Sequence, residues 1–130
     1  MRLLGIDFGS KRVGVAVSDD SGTIAQPLVV LKNSRKLLTE IETIIKEQKV
    51  EAIVVGESKN FKGVDNAVMP EIREFKKSLE SACSVPVVFE LEFLTSHQAQ
   101  YFQGKHDLLD ASAAALILQS YLDRKNNQNK

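Results

Sequence analysis

The sequence predicts an α/β layered domain built on a mixed sheet, and three observations carry that prediction. Strand-like runs separated by glycine-bearing turns open the chain, helical and strand-like apolar patterns then alternate, and an alanine-rich helical stretch closes it. With 130 residues, 43% of them hydrophobic, the chain can fill one core. One domain over residues 1–125 is expected, followed by a polar tail, 126–130, read as disordered.

Arg2–Phe8, Val13–Asp19 and Thr23–Leu31 are rich in Val, Ile and Leu and flank Gly-Ser and Asp-Asp-Ser-Gly turns, which predicts an antiparallel three-strand meander. In the second run Val13, Val15 and Val17 alternate with Gly14, Ala16 and Ser18, so one face is lined by small residues where another element can pack closely. Pro27 marks the third strand as an edge.

From Ser34, read as an N-cap, Leu37, Leu38, Ile41, Ile44 and Ile45 recur at helical spacing as far as Gln48. Ala52–Gly56 is a short unbroken apolar run, the pattern of a strand covered on both faces and placed in the sheet centre. The polar stretch Glu57–Asn66 reads as a loop at that strand's C-terminal end, a common place for ligand contacts. A second helix is predicted over Pro70–Ala82, with Ile72, Phe75 and Leu79 as its apolar stripe. Pro86–Leu91 reads as another buried strand running into Glu92, Thr95–Phe102 as a short helix ended near Gly104, and Leu108–Arg124 as the last helix. The sheet is therefore expected to be mixed and five-stranded, an antiparallel meander extended by parallel strands and flanked by helices.

Seventeen basic residues balance seventeen acidic ones, which excludes binding to nucleic acid through an overall positive charge. Any such contact has to be local, and Lys11-Arg12 and Lys105-His106 are the basic pairs that adjoin candidate acids. Cys83 is the lone cysteine, so neither a disulfide framework nor a thiolate zinc cluster is expected. Without a charged segment leading into an apolar core at the start, or any apolar run near the ~18 residues of a membrane span, a soluble, cytoplasmic protein is expected. A nucleophile elbow, a P-loop and a His-Glu-x-x-His motif are all absent from the sequence.

Three acids stand where such a fold can gather chemistry: Asp7 at the end of an apolar strand before the Gly9-Ser10 turn, Glu92 ending the last strand, and Asp110 in the first turn of the last helix. Each has an ordinary structural role open to it, as a turn cap, an exposed strand end, or, for Asp110 with Asp107, a complement to the helix dipole. Taken together they form an oxygen donor set of the kind that selects Mg²⁺ or Mn²⁺, and two such ions about 4 Å apart can activate water and stabilise the leaving oxygen of a phosphodiester. His97 and His106 read as surface residues, His106 being the neighbour of Asp107 and Asp110.

The stretch from Gly5 through Asp7-Phe8-Gly9-Ser10-Lys11-Arg12 to Asp19 resembles the opening of the YqgF/RuvX family of RNase H-like nucleases, and Asp110–Asp123 resembles that family's last helix. Ile24-Ala25-Gln26-Pro27 and Ile53-Val54-Val55-Gly56 are similar to its internal segments. The resemblance implies an RNase H-like fold and metal-dependent cleavage of nucleic acid, first in maturation of the 5′ end of pre-16S ribosomal RNA, with ribosomal precursor particles as a further partner, and alternatively in resolution of branched DNA at Holliday junctions. It implies Asp7, Glu92 and Asp110 as catalytic ligands of one or two Mg²⁺ or Mn²⁺ ions. Lys11, Arg12 and Lys59 are then the expected phosphate contacts and Asn60 a further substrate contact, with Thr95 or Ser96 as a hydrogen-bond donor near the scissile group.

The chain departs from the family pattern at Leu91-Glu92-Phe93-Leu94-Thr95-Ser96, where the family has Asp-Glu-Arg-Leu-Thr-Thr. The glutamate is kept, while the flanking acid and the arginine are lost. The loop after Gly56 and the basic stretch before the last helix, here Gly104-Lys105-His106, also differ. Two rival readings follow: a nucleic-acid-binding module of this fold with weak catalysis, and a sugar-kinase or actin-like phosphate-binding domain, which needs a second lobe to close over ATP.

Overall fold

The computed structural model of the chain describes residues 1–58, 69–92 and 106–128, with 57–58, 91–92, 106–112 and 128 described through the backbone alone. The element order is β1 (Leu3–Phe8), β2 (Arg12–Ser18), β3 (Ala25–Lys32), α1 (Leu37–Gln48), β4 (Ala52–Ser58), α2 (Met69–Ala82), β5 (Val87–Glu92) and α3 (His106–Gln128). The strands form one five-stranded sheet in the order β3-β2-β1-β4-β5. β1, β2 and β3 pair antiparallel, whereas β1, β4 and β5 run parallel, as the alternation of strand and helix requires.

The two-residue period of the strands sorts the core into two layers. Leu4 and Ile6 of β1, Val13 and Val15 of β2, and Ile53 and Val55 of β4 pack with Leu37 and Ile41 of α1 and Ile72, Phe75 and Leu79 of α2. On the other face, Leu3, Ala16, Ala52 and Val54 pack with Ala114, Ile117, Leu118 and Leu122 of α3. The small-residue side of β2 is thus the side that α3 covers. Each fully buried Leu, Ile or Val in these layers contributes about 1.5–3 kcal/mol relative to exposure.

Several boundaries move for identifiable reasons. β3 begins at Ala25 rather than Thr23 because the Asp19 carboxylate holds the preceding turn: Oδ1 accepts from the N–H groups of Thr23 (2.8 Å) and Ile24 (3.1 Å), and Oδ2 from Ser21 Oγ (2.6 Å). Ser34 does not cap α1. The cap position is Lys36, without a side-chain cap bond, while the Ser34 carbonyl accepts the N–H of Leu37 (3.1 Å) and its hydroxyl that of Lys36 (3.3 Å), forming a turn one step earlier.

β4 extends through Glu57 and Ser58, which pair with Leu91 and Glu92, so the loop starts later than the polar composition implies. β4 is interior, but the central place belongs to β1, and β5 is the second edge. α3 continues to Gln128, which makes residues 126–128 helical instead of a disordered tail; Asn126 Nδ2 donates to the Gly22 carbonyl at 3.1 Å and fixes that end. Among the described residues no helix is long and apolar enough to cross a membrane.

Candidate functional site

Asp7 follows Ile6 on the central strand, and alternation places it on the α3 side of the sheet, half-buried and opposite Gly14 of β2, whose missing side chain leaves it room. Directly after the strand, Gly9 makes the turn that sends the chain back. A Cβ at Gly9 would lie 2.5 Å from the Arg12 carbonyl oxygen, so this turn has space for glycine alone. Asn33 fastens it from β3's end, its side-chain amide donating to the Gly9 carbonyl at 2.8 Å and its backbone N–H to the Lys11 carbonyl at 3.0 Å.

The path of α3 decides where Asp110 falls. Ala114 and Leu118 lie over Gly5, while Gln119 bonds the backbone of Thr23 and Ala25 and Asn126 that of Gly22, at the far end of the β2–β3 hairpin. α3 therefore runs antiparallel to β1 and starts at the edge where β1 ends. From Gly5 to Asp7 is two strand residues, roughly 6–7 Å. From Ala114 back to Asp110 is four helical residues, about 6 Å in the same direction. The backbone of Asp110 thus stands at the Asp7 edge.

β5 runs parallel to β4, which runs parallel to β1, so Glu92 ends its strand at this edge as well. The ranks Ile6–Val55–Phe89 are in register across the three strands, which sets Asp7 level with Glu90 and Glu92 two residues further out. Lys11, on the β1–β2 turn, and Arg12, the first residue of β2, are exposed at the same edge as Asp7. Lys59, Asn60, Thr95, Ser96, His97 and the predicted helix over Thr95–Phe102 lie outside the described residues. Among the described side chains no three His, Cys, Asp or Glu groups gather as a metal-holding set, the side chains of Glu92 and Asp110 being outside that description.

The RuvX family model, whose description is Holliday junction resolvase, matches residues 1–124. The chain belongs to the RuvX family. A RuvX relative from Caldanaerobacter subterraneus subsp. tengcongensis, named "Putative pre-16S rRNA nuclease", is 41% identical over 140 residues, covering 98% of this chain and 99% of its own. A protein of the same name from Thermoanaerobacter pseudethanolicus is 38% identical over 139 residues, covering 98% of this chain and all of its own length. Among solved structures, Thermus thermophilus RuvC superposes with a TM-score of 0.65 at 15% identity, over 98% of this chain and 97% of that one. The same protein in complex with Holliday junction substrate gives 0.59 at 18% identity, over 96% and 95%. At those identities the likeness establishes the fold alone, and that fold is the expected RNase H-like one.

The structure also shows a buried glutamate level with Asp7 whose part the sequence does not reveal. Glu90, on the α3 side of β5, is 3% exposed, and its Oε1 accepts a charge-assisted bond from Arg124 Nη1 of α3 at 2.7 Å. Its Oε2 has no hydrogen-bond partner among the described residues. The signal in the sequence is a glutamate within an otherwise apolar strand, Val87-Val88-Phe89-Glu90, with nothing to name its partner 34 residues away. On the opposite face of the β1 end, a cavity of about 630 Å³ is lined by Phe8, Phe75, Leu37, Arg35 and Glu74, and alternation separates it from Asp7.

Proposed function

We propose that this RuvX chain is a metal-dependent nuclease that hydrolyses phosphodiester bonds of nucleic acid, acting in the cytoplasm in maturation of the 5′ end of pre-16S ribosomal RNA. The observation that carries the reading is the seating of α3 on Gly5, which sets the start of that helix against the strand edge where β1 and β5 end. Positions 7, 92 and 110 thereby share one edge, and all three are carboxylates, a donor set that fits a hard divalent cation.

Asp7, Glu92 and Asp110 would hold one or two Mg²⁺ or Mn²⁺ ions, which when bound supply a nucleophilic water near neutral pH and charge stabilisation at the phosphate. Asp7 is suited to its part because the central strand and the Asn33-braced turn keep it from moving. Lys11 on that turn and Arg12 at the start of β2, both exposed, meet the phosphate backbone and orient it without reading sequence. Lys59, Asn60, Thr95 and Ser96 complete the proposed substrate contacts. The names of the two relatives support ribosomal RNA as the substrate.

The family description favours a second reading, resolution of Holliday junctions, which requires a symmetric pair of sites. Precursor 16S RNA and a four-way DNA junction, each incubated with the protein and Mn²⁺ beside Asp7→Asn, separate the readings. Cleavage of the RNA by the wild type and not by the variant is expected. Paired symmetric nicks in the junction with intact RNA would transfer the assignment to resolution, and binding of both substrates without cleavage would leave only a nucleic-acid-binding module.

A further inference from the structure

We infer that Glu90 and Arg124 form a positioning pair, fixing β5 against α3 so that Glu92 and Asp110 keep one relation to each other. The inference rests on the metal-site reading above and extends it to two residues outside the proposed ligand set.

β5 is an edge strand, held by hydrogen bonds to β4 on one side only, and it ends at Glu92. α3 lies mainly over β1, β2 and β3, seated by Gly5, Ala16 and the Gln119 bonds to Thr23 and Ala25. Two of the three proposed ligands therefore sit on elements that meet away from the centre of the α3 seat, through Val88 packed against the α3 core and, among the described residues, through the Glu90–Arg124 ion pair. It lies two residues before Glu92 in the strand. A carboxylate 3% exposed, with one oxygen unpartnered among the described residues, is a poor device for stability alone, since apolar residues of similar volume usually serve a core as well or better. What the pair adds is a tie between the two elements: the Arg124 side chain, 55% exposed, reaches in from the surface to bring Nη1 within 2.7 Å of Glu90 Oε1, so sliding β5 along α3 breaks a charge-assisted bond and leaves a buried carboxylate unpaired. The Tyr121 ring lies 5.9 Å from the Arg124 guanidinium carbon, within reach of a cation–π attraction.

Calorimetric titration of the full chain with Mn²⁺ alone tests this, with thermal unfolding measured in parallel. Wild type is expected to bind and Asp7→Asn to lose binding. Arg124→Met and Glu90→Gln are expected to weaken Mn²⁺ affinity by about 10–100-fold, the range typical of outer partners of a metal site. Arg124→Lys, which keeps the charge, is expected to recover much of the loss. The decisive variant is Glu90→Leu with Arg124→Leu, which removes the pair without leaving a buried charge and is expected to melt near the wild type yet still bind Mn²⁺ at least about tenfold more weakly. In cleavage assays its kcat at limiting Mn²⁺ falls and is restored by excess Mn²⁺, while KM for RNA stays put. Wild-type Mn²⁺ affinity in the folded double variant overturns the pairing role and leaves the metal reading standing. Absence of Mn²⁺ binding by the wild type overturns both. Should Arg124→Met and Glu90→Gln fail to fold, the double variant decides.

Discussion

Leu118 sits so closely above Gly5 that a Cβ on the glycine would lie 2.7 Å from Leu118 Cβ and 2.9 Å from the Ala114 carbonyl oxygen. The opposing atoms belong to the frame of α3 and cannot swing aside as the end of a flexible side chain could. Gly5→Ala must therefore lift the helix or bend the strand, an overpacking change that costs about 1–3 kcal/mol. Chemical denaturation should show a lower midpoint at unchanged slope. Since α3 carries Asp110 and β1 carries Asp7, cleavage well below the melting temperature should fall too. Full activity in a destabilised Gly5→Ala would show that the seating of α3 on Gly5 does not set the site.

Asp7→Asn isolates the chemistry from the fold. The side chain is half-buried, and the exchange keeps its shape while removing its charge. Cleavage should drop by more than the about 10–100-fold that outer partners of a metal site cost, with little loss of thermal stability. A variant that unfolds in step with its loss of activity would make Asp7 a structural turn residue.

Most of the layer plan was legible because it follows from local periods. The switch from alternation to helical spacing after β3, the continuous apolar run of β4 and the small-residue side of β2 are each written within a few residues. The start of β3 and the start of α1 were not, because Asp19 and Ser34 spend their hydrogen bonds on turns that compete with strand and helix. In the candidate site, Asp7 could be marked by its place before a glycine turn. Glu90 and Arg124 could not, since their meaning is a contact across 34 positions between an edge strand and the far half of a helix. Local patterns predict elements, whereas a buried charge is explained only by its partner.

Lys11 lies exposed on the β1–β2 turn at the proposed catalytic edge. If it meets a phosphate, Lys11→Ala should weaken binding about equally for RNAs of different sequence and reduce the salt dependence of log K by roughly one contact. Filter binding at several salt concentrations measures that slope. A changed sequence preference at constant slope would place Lys11 against a base instead.

Asp19 provides a pH test far from the site. Hydrogen bonds from Ser21 Oγ first, and then from the Thr23 and Ile24 N–H groups, push its carboxyl from 3.8 down to about 2. A carboxyl with a folded pKa below its unfolded value binds fewer protons in the native state, so its stabilising effect is complete above the unfolded value and is lost as pH falls through the folded one. The turn it holds seats Gly22, which accepts from Asn126, and Thr23, which accepts from Gln119, so the carboxylate supports the landing of α3 on the hairpin. Asp19→Asn keeps a neutral acceptor but no charge. Its melting temperature should lie below the wild type's at pH 6, and the gap should close between about pH 4 and pH 2 as the wild-type carboxylate protonates. A gap of constant size across that window would mean that the charge on Asp19 contributes nothing and that the turn is held by shape.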